Sequence, residues 1–171
     1  MEPVSVMRFR VLLLVLFAVF PGLGAAQDAQ NRGAHGDWIV FTINTENGLV
    51  CYAASRPIEM TPSSVDHGEV FFVISTWANG AAEEQPRFVA GYALRPETPP
   101  RARIGSSRFQ MFAAGQDGFV EDLEDESDLV SQMRRGADMR IEATSQRGTA
   151  TAYLFSLTGV TAALQRVDAL C

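Results

Sequence analysis

The stretch RARIGSSRFQMF, residues 101–112, decides the fold, because apolar and polar side chains alternate on both sides of a Gly-Ser turn. One face collects the apolar side chains of Ala102, Ile104, Phe109 and Met111. The other face collects Arg101, Arg103, Arg108 and Gln110. The stretch therefore predicts an antiparallel hairpin with a buried inner face and an arginine-rich outer face.

Six further segments have the composition of β-strands, rich in β-branched and aromatic residues. They are DWIVFTI (37–43), LVCYAAS (49–55), EVFFVISTW (69–77), RFVAGYAL (87–94), DMRIEAT (138–144) and TATAYLFSL (149–157). EVFFVISTW is apolar on both alternating sets, which is typical of a strand that is buried on both faces and central to its sheet. Residues 56–68 are polar and contain two prolines, so they are predicted as a loop.

Two segments change to helical spacing. The first is predicted as a helix over about residues 124–135, with acidic residues in its first turns and Gly136 as a left-handed cap. Its apolar stripe is Leu123, Leu129, Val130 and Met133. The second is predicted over about residues 158–169, with Thr158 as the N-cap. Its stripe is Val160, Ala163, Leu164 and Val167.

Strands outnumber helices, and no alternation of strand and helix is present. The fold class predicted from the residues is therefore mainly β, a compact antiparallel β-sandwich with one or two short helices.

The first 26 residues have the layout of a secretory signal peptide. Arg8 and Arg10 precede an apolar run at residues 11–20, and small residues follow up to a cleavage site after Ala26. The ten-residue run is short against the roughly 20 residues that span a bilayer. We expect a periplasmic protein without a transmembrane segment in its mature form. A flexible lead at residues 27–36 would precede a single domain at residues 37–171.

The charge of the chain limits its partners. The formal net charge is −6, and removing two Arg and one Glu with residues 1–26 changes it to −7. Such an acidic domain is a poor match for nucleic acid or for anionic lipid surfaces.

The sequence has two cysteines, Cys51 and Cys171. In an oxidising compartment they most simply pair with each other. The pair would close a loop of 171 − 51 = 120 residues, for which the chain-entropy model gives roughly 5 kcal/mol of stabilisation as an upper figure. A reactive thiol and an intermolecular bridge are the alternatives. A nucleophilic cysteine would need a histidine partner, and the only histidines are His35 in the lead and His67 in a polar turn.

Three groups of residues are candidate binding sites. Carboxylates at residues 121–128 suit Ca²⁺, but EF-hand spacing is absent and the run favours a helix start. Arg101, Arg103 and Arg108 suit an anionic ligand, although exposed strand arginines also prevent edge-to-edge aggregation. Four aromatic residues suit a sugar-stacking face, although aromatic residues in strands are first of all core material. They are Trp38, Trp77, Tyr92 and Tyr153.

No motif of an enzyme is present in the sequence. A G-x-S-x-G elbow is missing, the histidines do not stand at metal-ligand spacing, and no carboxylate pair has a glycosidase context. We therefore expect a non-enzymatic protein with no catalytic residue, no metal and no cofactor.

Several stretches in order resemble the invasion-associated locus B protein family of exported bacterial proteins. They are GDWIVF, VCYAASRP, EVFFVISTW, FVAGYALRP, IGSSRFQMF and MRRGADMRIEATSQRGTATAYLFSLTGVTAAL, followed by the final Cys. The resemblance covers residues 36–171, and its more specific part is RGT followed by FSLTG and a helix that ends in Cys.

The resemblance implies a periplasmic or outer-membrane-associated β-sandwich of immunoglobulin-like topology. It also implies a bond between an early-strand cysteine and the C-terminal one, here Cys51 and Cys171. The family takes its name from host-cell invasion, and it offers no catalytic motif. We expect a protein that binds an envelope or host macromolecule, in host-cell interaction or envelope maintenance. The rival is a periplasmic small-ligand or carbohydrate binder, or a weak hydrolase.

Overall fold

A computed structural model describes residues 28–171, so the predicted signal peptide at residues 1–26 lies outside the described residues. The strands are β1 Gln30–His35, β2 Trp38–Thr45, β3 Gly48–Ser55, β4 Glu59–Thr61, β5 Phe71–Trp77, β6 Gln85–Val89, β7 Arg101–Ile104, β8 Ser107–Ala114, β9 Asp117–Val120, β10 Asp138–Thr144 and β11 Ala150–Ser156. The helices are α1 Leu123–Arg135 and α2 Val160–Asp168. Within residues 28–171, neither helix is long and apolar enough to cross a membrane.

The strands form one antiparallel sheet in the order β1-β2-β3-β5-β6-β9-β8-β7-β10-β11-β4. Strand β8 belongs to both halves, because residues 107–110 pair with β7 and residues 111–114 pair with β9. The sheet folds over at this strand, so that β5 and β6 face β11. Ring centroids of Phe72 and Phe155 are 5.9 Å apart, and those of Phe88 and Tyr153 are 5.4 Å apart. The predicted mainly β, sandwich-like fold is confirmed.

The core fills the space between the two halves. The largest fully buried side chains are Trp38, Tyr153, Phe72, Phe88 and Phe155. In the hairpin of residues 101–112 the apolar face is buried and the arginines face solvent, as the alternation predicts. The buried residues are Ala102, Ile104, Phe109 and Met111. Helix α2 packs against β2 and β3 through the four residues of its predicted stripe.

Two segments predicted to be irregular contain strands. Residues 30–35 lie in the predicted flexible lead, yet they form β1, which pairs with β2 at the edge of the sheet. Residues 59–61 lie in the predicted loop and form β4 beside β11. Both are edge strands with polar sequences, and an edge strand needs only backbone pairing on one side, without an apolar pattern.

The C-terminus of α1 and the N-terminus of α2 differ from the prediction. Gly136 has φ −84° rather than a left-handed conformation, and an added Cβ would lie 2.7 Å from Ile104 Cγ2, so close packing explains the glycine. The N-cap of α2 is Gly159 at φ +90°, not Thr158. Leu123 is 82% exposed as the first residue of α1, while Glu126 takes a buried position on that helix.

Candidate functional site

The disulfide joins β3 to the last residue of the chain. Cys51 and Cys171 are bonded with their Cα atoms 5.9 Å apart, and no free cysteine exists in residues 28–171. Cys51 is fully buried on the inner face of β3 and belongs to the hydrophobic core. The bond therefore holds the C-terminal end of α2 against the inner face of the sheet.

The three predicted arginines lie together on the outer face of the second half of the sheet. Arg103 on β7 is directly opposite Arg108 on β8. On its other side Arg103 is directly opposite Arg140 on β10, and Arg101 is opposite Glu142. Sequence reasoning missed Arg140, because the pairing of β7 with β10 joins strands more than thirty residues apart. We call Arg101, Arg103, Arg108 and Arg140 the arginine cluster.

A groove lies beside the arginine cluster, with a volume of about 410 Å³. Two arginines and one carboxylate line it, Arg101, Arg140 and Glu142. The rest of the lining is hydroxyl-bearing or apolar, and it comprises Thr61, Thr98, Pro99, Ala143, Thr144, Ala150, Thr151 and Ala152. The groove therefore combines apolar surface with hydrogen-bonding groups, and it opens beside the arginine cluster.

The four aromatic residues considered for sugar stacking do not form a common face. Trp38 and Tyr153 are fully buried, and the Trp38 Nε1–H donates to the carbonyl oxygen of Ser156 at 3.1 Å. Tyr92 is half-buried in the bend after β6, and Trp77 is half-buried at the end of β5. For Trp38 and Tyr153 the interpretation as core residues is the right one.

His67, predicted in a polar turn, is buried in a chain of hydrogen bonds. Its Nδ1 lies 2.9 Å from the Tyr153 hydroxyl, and its Nε2 lies 2.9 Å from the Pro62 carbonyl oxygen. Tyr153 donates to the Tyr92 hydroxyl at 2.8 Å, and Tyr92 lies 2.6 Å from Thr151 Oγ1. Burial, followed by the bond to Tyr92, raises the pKa of Tyr153 above its usual range. This series of hydrogen bonds connects the loop after β4 to β11.

The outer face of the first half of the sheet is aromatic. We call it the aromatic face, and it comprises Ile39, Phe41, Tyr52, Phe71, Phe112 and Phe119. These side chains alternate with core residues along their strands and point away from the core. Phe41 stacks on Tyr52 with centroids 5.3 Å apart, and Phe112 stacks on Phe119 with centroids 5.6 Å apart.

The aromatic face is accessible at both ends. Ile39 is 38% exposed and Phe112 is 45% exposed. Between them lies Arg87, whose guanidinium is 3.8 Å from the Asp117 carboxylate. The sequence did contain a signal for this face, since DWIVFTI is apolar on both alternating sets. A strand that is apolar at both alternating sets of positions can have one face in the core and an exposed apolar surface on the other.

The acidic run forms the start of α1, with Glu124, Asp125 and Glu126 in the first turn. The pKa of Glu126 is raised, because the effect of burial exceeds the opposing effect of a hydrogen bond with Gln85. Among residues 28–171, no three His, Cys, Asp or Glu side chains are grouped as metal ligands would be. Carboxylates in the first turn of a helix interact favourably with the positive end of the helix dipole.

Comparison with known proteins gives one likeness in fold. No protein-family model and no curated protein matches the sequence. The structure is similar to the crystal structure of invasion associated protein b from Bartonella henselae, with a TM-score of 0.57 and 17% sequence identity. The match covers 81% of this chain and 95% of that chain. The two proteins therefore share a fold.

Proposed function

We propose that this chain is an exported, non-enzymatic protein of the bacterial cell envelope, related to the invasion-associated locus B family, that binds another protein through the aromatic face. Three observations support export. They are the signal-peptide layout of residues 1–26, the Cys51–Cys171 bond and the fold shared with invasion associated protein b. Disulfides form and persist in oxidising compartments such as the periplasm.

The aromatic face is the observation that carries the proposal. Contiguous exposed apolar surface on a soluble protein marks an interaction site. Interfaces are enriched in aromatic residues and Arg and depleted in Lys and Glu. The aromatic face has this composition, and its charged neighbours form two pairs of opposite charge. Arg87 pairs with Asp117, and Arg56, which lies over the Phe71 ring, pairs with Glu69. The aromatic face therefore presents a nearly neutral surface on an acidic protein.

The occupant we propose is a different protein with an apolar face of its own. Two copies of this chain each carry a formal charge of −6 or lower, so long-range repulsion opposes their association. A flat face spread over five strands suits a protein surface, whereas small molecules bind in concave pockets. The structural neighbour is an invasion associated protein, so contact with a host protein is one role. Maintenance of the envelope is the other.

Site-specific photocrosslinking in intact cells tests this binding. A photoreactive residue at Phe112 should give one discrete adduct with another protein, and the same residue at Arg147, in an exposed turn, should give none. Ile39→Asp in the Phe112 background should reduce the adduct about thirtyfold, because burying an unpaired carboxylate against an apolar partner costs about 2 kcal/mol. Ile39 is partly exposed, so this variant should keep the wild-type melting temperature.

Equal adducts from positions 112 and 147, or an adduct unaffected by Ile39→Asp, would exclude the aromatic face as the interface. An adduct with the mass of two copies of this chain would show a homodimer and contradict the proposed partner.

A further inference from the structure

We infer that the arginine cluster and the groove beside it form a binding site for a phosphorylated saccharide. The cluster is on the opposite outer face from the aromatic face, so this inference is independent of the protein partner proposed above. It rests on the register of three strands, on unpaired charge and on the chemistry of the groove lining.

The register places like charges side by side. Arg108, Arg103 and Arg140 occupy directly opposed positions on three adjacent strands. Opposed residues have Cβ atoms about 4.5–5.5 Å apart, and like charges at such positions destabilise a sheet. The folded protein therefore carries an unfavourable row of three guanidinium groups, which a bound anion would relieve.

Protection of a sheet edge explains only one member of the row. Arginines that prevent aggregation belong on edge strands. Residues 107–110 of β8, which include Arg108, pair with β7 on one side and with no strand of residues 28–171 on the other. Arg101, Arg103 and Arg140 lie on β7 and β10, which are interior strands with hydrogen-bonded neighbours on both sides. Edge protection therefore does not account for these three arginines.

The charge of the cluster is mostly unpaired. Within residues 28–171, Arg101, Arg103 and Arg108 form no ion pair within 4.0 Å, and Arg140 reaches Glu142 at 3.4 Å. The exposed Gln110 is opposite Arg101 and completes a square with Arg103 and Arg108. Three guanidinium groups and one amide therefore face solvent with donors available, and guanidinium forks match phosphate oxygens bidentately.

The groove supplies the second half of the site. Arg101, Arg140 and Glu142 border it, and Thr61, Thr98 and Thr144 line it, so that hydroxyl groups and one carboxylate are available to sugar hydroxyl groups. A volume of about 410 Å³ holds one or two sugar rings rather than a phosphate alone. Hydroxyl donors and acceptors with small neighbours suit sugar hydroxyl groups. The phosphate would lie on Arg101, Arg103 and Arg108, and the sugar in the groove.

The acidity of the chain selects a discrete ligand over an extended one. With a net charge of −6, the molecule repels nucleic acid and anionic membranes at long range. A single phosphorylated sugar unit meets only the local positive field of the cluster. An anionic membrane would also have to approach Glu59, Asp138 and Glu142 on the same face.

Calorimetric titration with trehalose 6-phosphate, trehalose and inorganic phosphate tests the site. We expect trehalose 6-phosphate to bind at least tenfold more tightly than inorganic phosphate, with no heat from trehalose in the same range. The double substitution Arg103→Gln and Arg108→Gln should weaken this binding at least tenfold. It should also leave the melting temperature of the free protein unchanged or higher, because it removes opposed like charges.

The matched control is Arg32→Gln with Arg166→Gln, which makes the same change in net charge at two exposed positions, on β1 and α2, that do not line the groove. Equal weakening in the control would show a general charge effect and overturn the site. Equal affinity for inorganic phosphate and trehalose 6-phosphate would overturn the saccharide assignment. Binding to phosphatidylglycerol vesicles without binding of trehalose 6-phosphate would assign the cluster to a lipid and overturn it as well.

Discussion

Replacing Cys51 and Cys171 together with Ala should lower the free energy of unfolding by about 3 to 5 kcal/mol. The bond closes a loop with a sequence separation of 120, so its loss frees a large part of the chain in the unfolded state. It also releases α2, whose residues Val160, Ala163, Leu164 and Val167 are buried in the core. For a domain of this size the melting temperature should fall by about 10 °C or more.

Urea unfolding of the wild type, the double variant and the reduced wild type measures the effect. The reduced wild type is the matched control, because it retains both sulfur atoms and loses only the bond. The double variant and the reduced protein should unfold at similar urea concentrations. Unfolding of the double variant within 0.5 kcal/mol of the oxidised wild type, on the order of measurement error, would show that the bond contributes little.

Gly159→Ala should destabilise the protein by about 2 to 4 kcal/mol. Gly159 has φ +90° at the junction of β11 and α2, and an added Cβ would overlap the carbonyl oxygen of His35. Gly36, in the turn between β1 and β2, has φ +57°, and a Cβ added there would likewise overlap the carbonyl oxygen of Thr158. The Asp37 N–H donates to the Thr158 carbonyl oxygen at 3.0 Å, which holds the two segments together. Any side chain at position 159 would separate them.

Gly105→Ala is the control for this prediction. Gly105 also has positive φ, at +55°, but no atom lies within 4 Å of an added Cβ. It should therefore show only the backbone cost of about 1 kcal/mol. Chemical denaturation of both variants separates backbone strain from the steric clash. Equal losses of stability would mean that the contact between positions 36 and 159 does not restrain the fold.

Local sequence patterns predicted much of the architecture. The alternation in RARIGSSRFQMF gave both faces of the β7–β8 hairpin, and the helical stripe of α2 is buried as expected. These features depend on side chains a few residues apart, whose periodicity reflects a single buried face.

Features that depend on distant contacts could not be predicted in this way. Strand β1 is polar and forms because β2 offers an edge. His67 is buried where its Nδ1 forms a hydrogen bond with the hydroxyl of Tyr153, 86 positions away in sequence. Arg140 joins Arg103 only through the pairing of β7 with β10. Each of these features depends on which segments come together in the folded protein, and the periodicity of a single segment does not predict that.

The most direct test of the central claim, an exported protein closed by a disulfide, is the intact mass of the protein isolated from its native cells, with and without reduction before alkylation. The account predicts a chain that begins at Gln27, with no thiol alkylated until the protein is reduced and two alkylated afterwards. A mass that retains residues 1–26, with both cysteines alkylated before reduction, would contradict it.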